Sequence, residues 1–308
     1  MKWRDFAEFM LLAAVWGASF LFMRVAAPQF GVFPLMGLRA VIGALILLPL
    51  VMGAGGAAEL RANAGRIAWV GLLSAGLPFV LLGYALQYQA AGFTAILNST
   101  TPFWGAIVAY LWLGERLGVV RSVGMAIGFG GMLVLIWGRV SFAADGLGLP
   151  ILATLFAYVS YGLASCATRV QLGGVRPLTA AAGSQVFAAL LLAPFAIAWW
   201  PAQSPDRWAW LSAALLGVLS TGLAYLLFFR LIARIGSTRT MSVSFLIPVF
   251  GVLWGALFLG EAVTARMLVG AATILAGTAL ATGVVDPRRW FAPPDTTADA
   301  PGEPGARS

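Results

Sequence analysis

Apolar residues run in long blocks separated by short polar breaks. The blocks lie near residues 9–25, 33–52, 67–86, 92–113, 119–138, 147–168, 177–199, 209–229, 237–259 and 267–285. Each is close to the roughly 20 residues that an α-helix needs to cross about 30 Å of hydrocarbon. Lipid offers no water to the backbone, so every N–H and C=O must be satisfied internally. Spans of this length are therefore helices and not barrel strands. The pattern predicts an all-α integral membrane protein with ten transmembrane helices. The last stretch, 286–308, is rich in Pro, Ala, Asp and Gly and predicts a disordered tail.

The pattern occurs twice. Asn98 to Gly105 (NSTTPFWG) runs through apolar residues to Leu113-Gly114-Glu115, and Phe245 to Gly251 (FLIPVFG) runs to Leu259-Gly260-Glu261. Pro102 and Pro248 stand at matching places, as do the glycine pairs Gly124/Gly270 and Gly131/Gly277. Gly17 to Arg24 aligns with Gly162 to Arg169 at nearly the same offset. The chain reads as two diverged copies, 1–140 and 146–285, of one five-helix unit. Five is odd, so the second copy enters the membrane from the opposite side. Inverted repeats of this kind mark secondary transporters, whose substrate site lies at the midplane between the halves.

Composition and charge sharpen this picture. The 308 residues are 61% hydrophobic and 10% charged, beyond what a soluble domain hides. The net charge of +8 comes from single basic residues between apolar blocks, which make no nucleic-acid groove. With the N-terminus inside, Lys2, Arg4, Arg61, Arg66, Arg116, Arg121, Arg169, Arg176, Arg230, Arg234, Arg239, Arg288, Arg289 and Arg307 fall on the inner side. Only Arg24, Arg139, Arg207 and Arg266 fall outside. Basic residues favour the cytoplasm, so both termini are expected there. Lys2 and Arg4 ahead of an apolar stretch also resemble a signal peptide. The match of Gly17–Arg24 to Gly162–Arg169 argues that this stretch is retained.

Several chemistries lack their residues. Histidine is absent, and the single cysteine, Cys166, lies within a predicted span. All eleven acids fall in loops, tails or helix ends, so no mid-membrane carboxylate is available as a proton relay. No Walker-type loop is present, and no metal set or hydrolytic triad can be assembled. A membrane-embedded enzyme is therefore not expected, nor is a cofactor or metal.

What remains is a wall for binding. Arg39 is the one charge deep inside a span. It either snorkels or pairs with carbonyls of a neighbouring helix, or it serves as counter-ion to a substrate carboxylate. Pro102 and Pro248 are expected to kink their helices and to free the carbonyls of Asn98 and Ser244. Hydroxyls lie beside both. Trp16, Ser19, Tyr84, Trp104, Tyr158, Tyr161 and Tyr225 lie at comparable depth, with Gln87, Tyr88, Ser165, Gln185 and Thr221. The candidate cavity residues are Trp16, Ser19, Arg39, Tyr84, Asn98, Thr101, Trp104, Tyr158, Tyr161, Tyr225 and Ser244. They are expected on the first, third, fourth, sixth, eighth and ninth helices, with Arg39 on the second. Gly124, Gly128 and Gly131 are expected to permit close helix packing. Gly114 and Gly260 suit helix C-termini, and Glu115 and Glu261 suit the start of the helix that follows.

The tandem Pro-x3-Gly…Leu-Gly-Glu pattern, with Trp16-Gly17-Ala18-Ser19-Phe20 and Arg39, resembles the EamA-type branch of the drug/metabolite transporter superfamily. The resemblance spans about residues 9–285. It implies a ten-helix bundle carrying small metabolites, commonly amino acids, out of the bacterial cytoplasm. The expected protein is thus a multi-pass inner-membrane exporter whose partners are a small-molecule substrate and the lipid bilayer. A monomer is expected, with a homodimer open. A flippase for a lipid or lipid-linked intermediate, or a drug exporter, is the alternative on the same fold. The second copy has no arginine matching Arg39, so any site is only pseudo-symmetric.

Overall fold

The computed structural model describes residues 2–142 and 146–284; the expected tail, with Arg288, Arg289 and Arg307, lies outside the described residues. The described residues form helices and no strand. In chain order these are α1 (Trp3–Phe30), α2 (Val32–Gly53), α3 (Ala64–Tyr88), α4 (Ala91–Asn98), α5 (Thr101–Leu113), α6 (Val119–Ile136), α7 (Gly148–Gln171), α8 (Pro177–Ala198), α9 (Arg207–Ile235), α10 (Ile247–Leu259) and α11 (Ala265–Ala281). The short helices Ala57–Ala62 and Ser237–Met241 lie between α2 and α3 and between α9 and α10.

Among the described residues eight helices are long and apolar enough to cross a membrane, counting Arg239–Leu259 as one, and α11 is a shorter apolar helix of 17 residues. The expected fourth span differs, because it is divided into α4 and α5. The expected kink at Pro102 is a break. A continuous helix through Pro102 would lose a hydrogen bond and drive the ring into the preceding turn. The chain instead starts a new helix, with Pro102 in its first turn, where an N–H would find no partner anyway. Side chains mend the gap: Thr100 donates its hydroxyl to the Leu97 carbonyl at 2.7 Å, and Trp104 Nε1 donates to Thr100 Oγ1 at 3.3 Å. Pro248 likewise opens α10, after a tight 3-10 turn at Ser242–Phe245.

Other irregularities recur at the same spacing. A π-helical turn occupies Leu72–Gly76 in α3, and another occupies Val218–Leu223 in α9. Gly114 and Gly260 end α5 and α10 in the left-handed conformation, at φ 67° and 64°. That is the conformation glycine adopts without a Cβ penalty.

Large apolar side chains such as Leu45, Leu111, Leu190, Ile197 and Phe258 stand exposed around the bundle. Patches of that extent on a soluble monomer would be an interface; here they face lipid. The chain is a multi-pass membrane protein. α6 and α11 pack on each other over glycines, as expected for Gly124, Gly128 and Gly131. A Cβ on Gly277 would sit 2.4 Å from the Gly128 nitrogen and 2.5 Å from the Gly124 oxygen.

The connections alternate between two ends. One end, here the basic end, carries three clusters: Arg230 and Arg234 with Asp5 and Glu8, Arg176 with Glu59, and Arg169 with Glu115. Hydrogen bonds from Thr179 and then from Arg176 hold the Glu59 carboxyl down at about 2. At the far end Arg24 Nη1 donates to the carbonyls of Leu86 and Gln87, at 3.0 and 2.5 Å, and so caps α3. Gln29 donates to Asp206 at 2.9 Å, and Arg266 Nη1 donates to the Trp137 carbonyl at 2.6 Å.

Candidate functional site

A cavity of about 240 Å³ lies among the helices, with α1, α2, α3, α4, α7, α9 and α10 contributing to its wall. Six of the expected residues meet there: Trp16, Ser19, Arg39, Asn98, Tyr161 and Tyr225. Phe20, Met23, Ser74, Phe79, Leu82, Ser220 and Ile247 complete it. Ser74 and Ser220 lie in the two π-helical turns. A π turn rotates the side chains that follow and often marks a functional position. Only the 146-residue offset between positions 74 and 220 could have singled out these serines in the sequence.

The same offset pairs Phe79 with Tyr225, Asn98 with Ser244 and Arg39 with Gln185, and an offset one shorter pairs Trp16 with Tyr161. Ser74, Phe79, Trp16 and their counterparts all reach the cavity, whereas Ser244 and Gln185 do not. Ser244 donates instead to the Met241 carbonyl at 2.9 Å. Gln185 is fully buried, and neither its Nε2 nor its Oε1 has a hydrogen-bond partner. It lies close to Gly43 and Thr221, since a Cβ on Gly43 would stand 3.4 Å from its Oε1 and 2.6 Å from Thr221 Cγ2.

Four further candidates also lie off the cavity wall, each for a physical reason. Tyr84 packs on Tyr88 near the end of α3, with ring centroids 5.3 Å apart. Thr101 belongs to the first turn of α5, its hydroxyl buried without a partner. Trp104 stacks edge-on against Phe129 and bonds Thr100. Tyr158 is fully buried and donates its hydroxyl to the Thr94 carbonyl at 2.7 Å, tying α7 to α4. Tyr158→Phe is therefore expected to lower stability by about 1 kcal/mol, the worth of one buried neutral hydrogen bond. Transport by the same variant should stay at the parent rate. A thermal melt in detergent and a flux assay check the two halves of this expectation.

Arg39 is 8% exposed. It does not reach either end of the bundle. Its Nε donates to Thr221 Oγ1 at 3.1 Å, and Nη1 approaches Met23 Sδ at 3.7 Å. Its Cζ stands 3.7 Å from the centroid of the Phe79 ring. Among the described residues it takes part in no ion pair. Of the roles open to it, snorkelling does not fit this burial, and its hydrogen bonds reach a neighbouring hydroxyl and a thioether, not backbone carbonyls. It is held in place by a hydroxyl, a thioether and a ring face, none of which neutralises it.

The glutamates of the repeated Leu-Gly-Glu turns differ from expectation and from each other. Glu261 does not serve the helix that follows it. Its Oε1 and Oε2 accept from the backbone N–H groups of Ala91 and Gly92, at 2.6 and 3.0 Å, at the start of α4. A carboxylate there completes orphan donors and faces the positive end of the helix dipole. The contact belongs to the far end, where α4 also packs on α10. Glu115 pairs with Arg169 at the basic end, where both side chains are exposed.

The EamA-like transporter family model matches residues 7–137 and again residues 148–283. The chain belongs to the EamA-like transporter family. Membership makes it a transporter. An uncharacterized transporter of Bacillus subtilis (strain 168), YoaV, is 24% identical over 268 residues, which cover 85% of this chain and 91% of that one. A probable amino-acid metabolite efflux pump of Escherichia coli (strain K12) is 24% identical over 290 residues, covering 90% of this chain and 94% of that one. A solved crystal structure, 22% identical, shares the fold at a TM-score of 0.66, over 95% of this chain and all of that one.

Proposed function

We propose that this EamA-like transporter exports small carboxylate-bearing metabolites, such as amino acids, across the bacterial inner membrane. Two inverted five-helix halves with ten spans would alternate the access of the central cavity, with both termini in the cytoplasm and a monomer as the working unit. One observation carries the reading: Arg39, buried and unpaired by any acid, lines a cavity built from both halves of the chain. A charge kept in that setting needs compensation, and a substrate carboxylate supplies it in forked geometry. The recurrence of the π turns, the Pro102 and Pro248 breaks and the Gly114 and Gly260 caps supports the two-half arrangement. The family match in two blocks supports it as well. The named activity of the Escherichia coli relative supports efflux of amino-acid metabolites.

Counterflow into proteoliposomes tests the proposal, with a panel of labelled amino acids, organic acids, nucleosides, sugars and cationic drugs, and a fluorescent lipid as a scrambling control. Saturable exchange of carboxylates alone is the expected result. Exchange confined to uncharged or cationic compounds, or lipid scrambling without solute exchange, overturns it.

A further inference from the structure

The six acids among the described residues are all engaged at the two ends. Asp5 and Glu8 hold Arg230 and Arg234, Glu59 holds Arg176, and Glu115 holds Arg169. Asp206 caps α9 through the Ala209 N–H, and Glu261 caps α4. None lines the cavity. The position that the repeat pairs with Arg39 carries the neutral Gln185. The site therefore holds one positive charge and no negative one.

We infer that the preferred substrate is a monoanionic carboxylate that lacks a free ammonium group. Suitable classes are an aromatic or branched carboxylic acid, a 2-oxo acid or an N-acylated amino acid. The inference rests on the cavity reading above and narrows it. A monoanion brings the occupied site to zero charge. A zwitterion leaves it at one positive charge, and its ammonium must leave water for ring faces, hydroxyls and the Asn98 amide. A desolvated cation without a counter-charge costs more than a ring face or a neutral acceptor returns. A dicarboxylate fails in the opposite sense, because its second carboxylate meets no cation. The rest of the wall is suited to an apolar body: Trp16, Phe20, Phe79, Leu82 and Ile247 offer ring and aliphatic surface.

The purified full-length protein in proteoliposomes decides this with a matched series: phenylalanine, N-acetylphenylalanine, phenylpyruvate and phenethylamine, each competing for exchange of labelled phenylpyruvate. N-acetylphenylalanine and unlabelled phenylpyruvate are expected to compete at least about tenfold better than phenylalanine, with phenethylamine inert. Because the cargo carries net charge, a potassium–valinomycin potential should drive phenylpyruvate flux and leave phenylalanine flux unmoved. Arg39→Gln should remove the preference, and Arg39→Lys should keep part of it. The parent protein's own selectivity carries the test even where a variant is poorly inserted. Phenylalanine competing as well as or better than its N-acetyl form overturns the inference while leaving a carboxylate exporter standing. Failure of the whole carboxylate panel overturns both.

Discussion

Glu261→Ala is expected to loosen the far end of the bundle. Spin labels at positions 88 and 263, both on exposed residues, should report a longer and broader distance distribution than in the parent. The carboxylate accepts two backbone N–H bonds that join α4 to the turn after α10. Hydrogen bonds to a charged group are worth about 1.5–3 kcal/mol each, so losing both removes about 3 kcal/mol or more. At about 1.4 kcal/mol per factor of ten, that shifts an open-to-closed ratio by roughly a hundredfold. Glu261→Gln keeps an acceptor oxygen and should fall between the two. Glu115→Ala, which removes only an exposed ion pair, should cost less than about 1 kcal/mol. Identical distance distributions for the parent and Glu261→Ala would mean that this carboxylate does not hold α4 to the turn after α10.

Gly277→Leu is expected to be the most damaging single packing change. Its Cβ alone would overlap the backbone of Gly128 and Gly124, which cannot turn aside as a side chain can. Overpacking typically costs about 1–3 kcal/mol, and a clash with backbone belongs at or beyond the upper end of that range. The pair α6–α11 should separate, visible as a large drop in melting temperature in detergent and as aggregation on gel filtration. Gly130→Leu, on the facing helix α6, is the control. Nothing lies within 4 Å of its Cβ and it is exposed, so it should melt with the parent. Equal melting of Gly277→Leu and the parent would mean that α6 and α11 do not pack through these glycines.

Much of this protein was legible in its sequence because the physics involved is local. Hydrocarbon thickness sets the length of the apolar blocks, and eight long helices fall where those blocks do. A proline cannot continue a helix, so a disturbance at Pro102 and Pro248 could be read directly, although its form could not. Whether a proline kinks a helix or begins a new one depends on what bonds the freed groups. Here Thr100, with Trp104 behind it, completes the break, and only packing brings them into position.

The wall of the cavity was half legible for a related reason. Depth in the membrane follows from position along a span, and depth selected Trp16, Ser19, Arg39, Asn98, Tyr161 and Tyr225. Direction around the helix axis does not follow from depth. Tyr158 and Tyr161 are neighbours on one helical face, with ring centroids 6.4 Å apart. One is spent on the Thr94 carbonyl and the other lines the cavity. The π turns that carry Ser74 and Ser220 have no sequence signature, since an extra residue in a turn is fixed by the neighbours that accept the rotated side chains.

The two Leu-Gly-Glu turns divide the contributions most sharply. Gly114 and Gly260 cap their helices alike, because a left-handed C-terminal residue is a local requirement that glycine meets by itself. Glu115 and Glu261 share the same local setting, yet one faces an exposed arginine and the other closes onto the head of α4. A carboxylate goes to whichever donors the fold brings within about 3 Å, and that distance is set by how the helices pack, not by the residues beside it in the chain.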